Sequence, residues 1–290
     1  MQKQTKGARF RKLIAKGCVM MPGVPNAAVA RQVERAGFEA VYISGAGMAN
    51  STAGVPDIGL LTLTEVARLS GYVANAVNIP GIVDADTGFG GAENVARTIR
   101  ELESAGVAGC HIEDQEFPKR CGHLAGKSIV DVDEMVGKIK AAVAARSDPD
   151  FMIIARTDAR AVEDFDHAVD RAGRYLEAGA DAIFPEALPS AEEFKTFAGE
   201  IKAPLLANMT EFGKSPLLSF KELSGLGYRM VIYPMSAFRV SMKASDEFLR
   251  DLKKQGTQSG WIDKMQTRQE LYDLLNYDPA AGNWPGQGAS

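Results

Sequence analysis

The chain has 290 residues, of which 46% are hydrophobic and 24% charged, and its formal net charge is −4 at pH 7. This balance is typical of a globular protein with a large core, and the absence of a basic stripe argues against a nucleic-acid partner. The apolar runs are too short to cross a bilayer, so we expect no membrane partner either.

Short apolar runs recur along the chain, and a polar turn and a helical pattern follow each of them. NAAVARQVERAG and ENVARTIRELESAG are two such helical patterns, and Gly37 and Gly106 mark their C-terminal ends. Eight strands that alternate with helices predict an α/β fold with parallel pairing. The count favours a single closed (β/α)8 barrel of the TIM type, although periodicity alone leaves an open sheet as an alternative. The predicted strands are 18–21, 40–44, 81–84, 108–112, 151–155, 182–184, 205–207 and 229–233.

Two further helical stretches, 237–254 and 260–275, follow the eighth predicted strand. They exceed what a barrel needs, and extra C-terminal helices often pack on a neighbouring subunit. No internal linker or low-complexity segment divides the chain. We therefore expect one domain over residues 1–290, with the barrel at about 10–240, the C-terminal helices at about 237–277 and a loose tail at 278–290.

Polar residues collect just after the predicted strands. The carboxyl ends of barrel strands face the active site, so this distribution predicts a polar, anion-binding site at one end of the barrel. In chain order these residues are Ser44, Gly45, Ala46, Gly47, Asp84, Asp86, His111, Glu113, Asp114, Arg156, Asp158, Glu186, Asn208, Thr210, Pro234 and Arg239.

The segment VDADTGFGG carries the strongest signal for a metal. If the strand stays extended, Asp84 and Asp86 point to the same face, and two such oxygen ligands suit Mg²⁺. The alternative is a turn in which an aspartate caps the next helix. Glu113 extends the acidic cluster, and His111 shares its face, although a lone histidine is equally often structural. Arg156 either binds a substrate carboxylate or pairs with Asp158.

The segment EDQEFPKRCGH places Cys121 within three residues of Lys119, Arg120 and His123. Neighbouring cations lower the pKa of a thiol, so we expect a reactive cysteine on a loop that can close; a solvated loop with an incidental cysteine is the alternative. Cys18 and Cys110 lie in predicted strands, where we expect them to be inert.

The cysteines also bear on location. The absence of a CxxC pair favours a reducing compartment. The basic N-terminus, MQKQTKGARFRKLIAKG, lacks the apolar core of a signal peptide. We expect a cytoplasmic protein, or one of the mitochondrial matrix if the source is eukaryotic.

The motifs VYISGAG, VDADTGFGG, GCHIEDQEFPKRCGH, IIARTDAR, FPEAL and ANMTEFG together resemble the isocitrate lyase and phosphoenolpyruvate mutase superfamily, over about residues 10–277. KRCGH resembles the lyase branch, and the short chain is most similar to the members that cleave 2-methylisocitrate. The resemblance implies a homotetramer with a terminal helix swapped between subunits. It also implies a Mg²⁺ cofactor, with Mn²⁺ as a substitute, and cleavage of 2-methylisocitrate, a tricarboxylate, to pyruvate and succinate in propionate catabolism by the methylcitrate cycle.

The resemblance further assigns roles to matching residues. Asp84 and Asp86 would bind the metal, with Asp57 and Glu113 close by through water. Ala46 stands where many relatives have glycine, which should leave backbone contacts intact. The substrate-binding residues implied are Ser44, Gly45, Ala46, Cys121, Gly122, His123, Arg156, Glu186, Asn208, Met209, Thr210, Arg239 and Arg268.

Substrate choice is expected to depend on Phe184, Ile232 and Pro234. Isocitrate lyases carry Trp, Phe and Thr at the matching places, and a smaller ring without a hydroxyl fits the added methyl group. One methylene group is worth only ~1–3 kcal/mol, so this favours one substrate without excluding leakage.

In the expected mechanism Cys121 protonates the succinate carbanion and Arg156 stabilises its charge. Tyr42, Glu113 and His111 are the candidates for the base that removes the hydroxyl proton. The rival activities are those of isocitrate lyase, 2,3-dimethylmalate lyase, or another superfamily lyase or mutase acting on a small 2-hydroxy or 2-oxo acid. A non-catalytic barrel that binds small acids or serves as a scaffold is the rival of another class.

Overall fold

Eight parallel strands close into a barrel in the computed structural model, which describes residues 4–281. The strands lie in the order β6-β5-β4-β3-β2-β1-β8-β7, and a bridge between Ile183 and Leu205 joins the two edges. The predicted (β/α)8 fold is therefore confirmed. The strands are β1 Val19–Val24, β2 Val41–Ile43, β3 Gly81–Asp84, β4 Gly109–Glu113, β5 Met152–Thr157, β6 Ala182–Pro185, β7 Leu206–Asn208 and β8 Met230–Tyr233.

Helices cover the outside of the barrel and extend beyond it at the C-terminus. Many begin at a capping side chain; for example, Thr62 and Glu65 form a reciprocal capping box. A π-helical turn, Ala49–Ala53, and a 3₁₀ helix, Ser259–Lys264, interrupt the α-helices. The α-helices are α1 Lys6–Lys16, α2 Ala27–Arg35, α3 Gly45–Met48, α4 Leu63–Ala76, α5 Ala92–Ser104, α6 Val132–Ala145, α7 Ala159–Val162, α8 Phe165–Glu177, α9 Ala191–Glu200, α10 Phe220–Gly225, α11 Ser236–Gln255 and α12 Arg268–Leu275.

The strands divide the core into two layers because successive side chains of a strand point to opposite faces. In β5, Met152 and Ile154 fill the barrel interior, whereas Ile153 and Ala155 pack against the helices. Phe10 of α1 is fully buried in the interior layer and covers the end where the strands begin. Phe10 does not cover the opposite end of the barrel, where the strands finish, and a cavity lies there.

The C-terminal region differs in part from the prediction. The stretch 237–254 is α11, but the stretch 260–275 is not one helix. Thr267 accepts a hydrogen bond from the backbone N–H of Glu270 and starts α12 after the 3₁₀ helix. α12 packs on α2, where Arg31 Nη1 lies 3.3 Å from the Leu274 carbonyl. Most of the predicted tail, residues 282–290, lies outside the described residues.

Within residues 4–281, no helix combines the length and apolarity needed to cross a membrane.

Candidate active site

A cavity of about 210 Å³ lies at the carboxyl ends of the strands. A larger cavity of about 470 Å³ lies at the other end, beside Arg11 and Arg229. We place the site in the smaller one because it collects the polar residues that follow the strands, as barrel active sites do. The predicted residues that line it are Tyr42, Ser44, Ala46, Asp57, Asp84, Cys121, Gly122, His123, Arg156, Glu186, Asn208, Thr210, Pro234 and Arg239.

Other predicted residues lie behind or away from the cavity wall. His111 and Glu113 are fully buried in β4, and Met209 is buried just after β7. Of the three predicted specificity residues, Pro234 lines the cavity, whereas Phe184 and Ile232 lie in the interior core. Gly45 lies against Asp84, close enough that a Cβ there would come within 2.7 Å of Asp84 Oδ2. Arg268 is exposed at the start of α12, outside the cavity lining.

The geometry predicted for Asp84 and Asp86 is wrong. β3 ends at Asp84, and Asp86 has a φ of +46°, so the two residues do not alternate along a strand. The Asp86 backbone N–H instead donates to Asp84 Oδ1 over 3.0 Å. The capping alternative also fails, because α5 begins after Gly91 without a side-chain cap. A tight turn, rather than strand alternation, brings both carboxylates into the acidic cluster.

Lys119 lies within this acidic cluster. Its buried ammonium contacts Asp57 Oδ1 and lies 2.8 Å from Asp86 Oδ1. Burial lowers the pKa of Lys119, but the carboxylates of Asp86 and Asp57 outweigh it and raise the pKa well above its ordinary value. Sequence reasoning had grouped Lys119 with the thiol, whereas the fold pairs it with the acids.

The donor set of the cluster fits a hard cation. Asp57, Asp84, Asp86 and Glu113 offer only carboxylate oxygens, which suit Mg²⁺ or Mn²⁺ rather than a soft metal. Neither carboxylate oxygen of buried Glu113 accepts a hydrogen bond, although Oε2 lies 3.2 Å from Arg156 Nη1. Residues 4–281 hold no ready-made cluster of three ligands, so substrate oxygens and water would complete the coordination, as is common for Mg²⁺.

The pKa values of Asp84 and Asp86 are shifted in opposite directions by burial and neighbouring charges. Burial raises the pKa of Asp84, but His111, Lys119 and Arg156 oppose it and lower the pKa to about 2. Burial raises the pKa of Asp86 to about 6, although Lys119 opposes the increase. Asp84 is therefore the more firmly ionised ligand candidate of the two.

Tyr42 and His111 form a buried pair beside Asp84. Tyr42 Oη lies 2.8 Å from His111 Nε2 and 3.4 Å from Asp84 Oδ2. Burial lowers the pKa of His111 to about 4, and burial raises the pKa of Tyr42 well above its ordinary value. Both groups are thus neutral near pH 7. Because Tyr42 reaches the cavity and His111 lies behind it, a proton can pass between the cavity and the imidazole through the phenol.

Arg156 joins three buried carboxylates at the end of β5. Its Nε lies 2.9 Å from Asp158 Oδ2, and its Nη1 lies 3.2 Å from Glu113 Oε2 and 3.5 Å from Glu186 Oε2. Its guanidinium also covers the Phe184 ring, 5.1 Å from the centroid. The two interpretations of Arg156 are compatible, because the side chain pairs with Asp158 and still lines the cavity.

Cys121 lines the cavity as a free, partly buried thiol. The predicted lowering of its pKa is wrong, because burial raises the pKa of the thiol above its ordinary value. The cations next to it in sequence have other partners or face away. Lys119 binds the acids, Arg120 is exposed, and His123 Nε2 lies 2.7 Å from Glu186 Oε1. The thiol therefore stays protonated near pH 7.

Sequence reasoning missed Asn50 and Met235, which also line the cavity. Met235 directly follows Pro234, so the strand-end rule that selected Pro234 could have included it. Asn50 lies in the π-helical turn, and no local pattern predicts that its side chain returns to the site.

The fold and the cavity together define a (β/α)8 enzyme of small carboxylic acids, with a thiol, an arginine and a group of carboxylates at the carboxyl ends of the strands. Residues 10–253 match the sequence profile of the family described as phosphoenolpyruvate phosphomutase. The chain is 55% identical to the 2-methylisocitrate lyase of Aeropyrum pernix over 272 residues, which are 93% of this chain and 87% of the relative.

Solved structures agree with the sequence comparison. A 2,3-dimethylmalate lyase, described as a PEP mutase/isocitrate lyase superfamily member, superposes with a TM-score of 0.91 at 36% identity, covering 97% of this chain and 94% of that one. A phosphonopyruvate hydrolase in complex with oxalate and Mg²⁺ superposes with a TM-score of 0.86 at 32% identity, covering 94% and 95%. The chain belongs to the phosphoenolpyruvate mutase/isocitrate lyase superfamily.

Proposed function

We propose that the chain is a Mg²⁺-dependent carbon–carbon lyase that cleaves 2-methylisocitrate to pyruvate and succinate. The observation that carries the proposal is that one cavity is lined by the Cys121 thiol, the Tyr42 phenol and the Asp84 carboxylate. A retro-aldol cleavage needs a proton acceptor at the hydroxyl and a proton donor at the carbanion, and this cavity offers both. The identity to relatives named 2-methylisocitrate lyase supports the choice of substrate.

Charge at the cavity wall suits a tricarboxylate. Arg156 and Arg239 are the cations that would receive substrate carboxylates, together with the polar side chains of Asn208 and Thr210. Arg239 lies at the mouth, where its guanidinium covers the Phe212 ring 5.4 Å from the centroid. Asp84 and Asp86, with Asp57 and Glu113 nearby, would hold Mg²⁺. The bound ion would supply Lewis-acid polarisation of the substrate hydroxyl.

The residues of the chain account for the proton movements. Tyr42 Oη takes the hydroxyl proton while it passes its own proton to His111 Nε2. The carbon–carbon bond then breaks, its electron pair stays on the succinate half, and the other half becomes pyruvate. Arg156 stabilises the negative charge of that carbanion. The Cys121 thiol donates its proton to the carbanion, which completes succinate. The proton held by His111 then returns through Tyr42 Oη to the cavity, where the thiolate takes up a proton, so both groups regain their starting state.

The products of three candidate acids test the substrate. Pyruvate from 2-methylisocitrate, glyoxylate from isocitrate, and pyruvate with propionate from 2,3-dimethylmalate can each be quantified by NMR. We expect kcat/KM for 2-methylisocitrate to exceed the others by about tenfold or more, since one methyl group in a pocket is worth about 1–3 kcal/mol. A preference for isocitrate or 2,3-dimethylmalate would overturn the assignment in favour of that lyase.

We also propose that the protein self-associates through its C-terminal helices, as a homotetramer. None of the 20 residues of α11, all within the described part of the chain, is buried. Val240, Met242 and Leu249 of α11 are more than half exposed, which is unusual for apolar side chains on one helix. Light scattering coupled to size-exclusion chromatography should report four chains, and a monomer would contradict this proposal.

A further inference from the structure

The loop between β4 and α6 carries the Cys121 thiol, and Gln115 binds the backbone of the residue before it. Gln115 Nε2 donates to the Arg120 carbonyl over 2.9 Å, and the Arg120 N–H donates to Gln115 Oε1 over 2.9 Å. The amide of Gln115 therefore satisfies both backbone groups of the residue that precedes Cys121. Gln115 itself is buried and pairs with Ile129 across the base of the loop.

A lysine holds the other side of the thiol. Lys127 Nζ donates to the Gly122 carbonyl and to Asp158 Oδ1, each over 2.5 Å. The side chains of Lys127 and Asp158 are 1% and 0% exposed. Bonds from an ammonium are about twice as strong as neutral ones, and burial shields this pair from water. The residue that follows Cys121 is thus tied to the end of β5.

The anchor for this lysine is itself fixed. The Asp158 N–H donates to Asp114 Oδ1 over 2.8 Å, and Arg156 Nε donates to Asp158 Oδ2 over 2.9 Å. Asp158 therefore links two groups, the arginine that faces the cavity and the lysine that holds the thiol loop.

The loop also approaches the cavity wall closely at Gly122. A Cβ at this position would overlap Arg156 Nη2 and the Glu186 side chain. The glycine allows the approach, but it supplies no side chain that could hold the loop there. Lys127 supplies that restraint through the Gly122 carbonyl.

We propose that Lys127 is a positioning residue that holds the Cys121 thiol at the cavity by tying the Gly122 carbonyl to Asp158, with Gln115 as a second restraint at Arg120. The inference rests on the proposed function for its kinetic consequence, but the restraint on the thiol can be measured without substrate. Lys127 does not line the cavity, so its effect on the reaction would pass through Cys121.

The test replaces Lys127 by methionine in the full chain. Asp158 keeps Arg156 as a partner in this variant, so no carboxylate is left without a cation. We expect kcat to fall by about 10²-fold with KM changed less than kcat, because small misplacement of a catalytic group costs that much. Alkylation of Cys121 by iodoacetamide, followed by peptide mass spectrometry without substrate, should accelerate about tenfold when the charge-assisted bond is lost.

Lys138→Met is the matched control. Lys138 is also buried, but its ammonium lies 3.5 Å from the Thr87 carbonyl and 3.4 Å from Glu134, rather than on a backbone group beside Cys121. We expect it to leave kcat and the alkylation rate nearly unchanged even if the melting temperature falls. Equal effects of the two variants on both rates would overturn the proposal, as would an unchanged alkylation rate in Lys127→Met.

Gln115→Ala keeps the proposal testable if Lys127→Met does not fold. It removes the second restraint without touching a buried charge, and it should also accelerate alkylation of Cys121. An unchanged rate there would overturn the proposal. If the unmodified protein lacks lyase activity, the alkylation rates still decide whether the two side chains restrain the thiol.

Discussion

Cys121→Ser should lower kcat on 2-methylisocitrate by about 10²–10⁴-fold, the usual contribution of a positioned acid, while KM changes little. Serine keeps nearly the same shape in the cavity, so substrate binding should survive. Its hydroxyl is a far weaker acid than the thiol, and it cannot protonate the succinate carbanion at the same rate. The measurement is steady-state pyruvate release, with substrate affinity measured separately by calorimetry.

Cys18→Ser is the control for this variant. Cys18 is partly buried before β1, at the opposite end of the barrel from the cavity, and burial raises its pKa to about 11. Cys18→Ser should therefore retain full activity. Full activity in Cys121→Ser would remove the thiol from the mechanism and leave the loop with a binding role alone.

Asp84→Asn should reduce both metal affinity and turnover, with kcat/KM falling about 10³-fold, because Lewis-acid assistance is worth several kcal/mol. The change keeps the size of the side chain, and the amide oxygen can still accept from the Asp86 N–H. It removes a carboxylate whose pKa is lowered to about 2, which is more firmly ionised than Asp86, whose pKa is raised to about 6.

Mn²⁺ binding measured by electron paramagnetic resonance separates the metal role of Asp84 from a purely structural one. Asp166→Asn, on the exposed face of α8, is the control and should bind Mn²⁺ as the unmodified protein does. Unchanged Mn²⁺ affinity in Asp84→Asn, with a normal melting temperature, would contradict the metal assignment.

The strands and helices of the barrel could be predicted because each one has a recognisable pattern within a short stretch of sequence. Each buried strand is a short apolar run, and each helix has apolar positions at intervals of three and four residues. Barrel closure depends on β6 meeting β7 through Ile183 and Leu205, a contact between distant residues, so the sequence could only favour it by the strand count.

Most of the residues that line the site could also be predicted, because residues that follow strands meet at one end of a barrel. The contacts that these side chains make with one another could not be predicted. Lys119 is two residues from the thiol in sequence, yet its long side chain reaches Asp57 and Asp86. The pKa of Cys121 could not be predicted for the same reason. Burial raises this pKa, and His123, its neighbour in sequence, is paired with Glu186 instead of the thiol.

The two other wrong predictions, the geometry of Asp84 and Asp86 and the single helix over 260–275, concern the backbone conformation. The positive φ of Asp86 belongs to a turn, which an alternating pattern of aspartates resembles over three residues. The break between Lys264 and Arg268 depends on Thr267 capping a new helix, and helical periodicity continues across it.

The most direct test of the account is pyruvate release from 2-methylisocitrate by the purified protein, followed by coupling to lactate dehydrogenase, with Mg²⁺ or with EDTA. We expect pyruvate and succinate in equal amounts with Mg²⁺, and no release above background with EDTA. The absence of pyruvate in the presence of Mg²⁺, or equal release with EDTA, would contradict the proposed metal-dependent lyase.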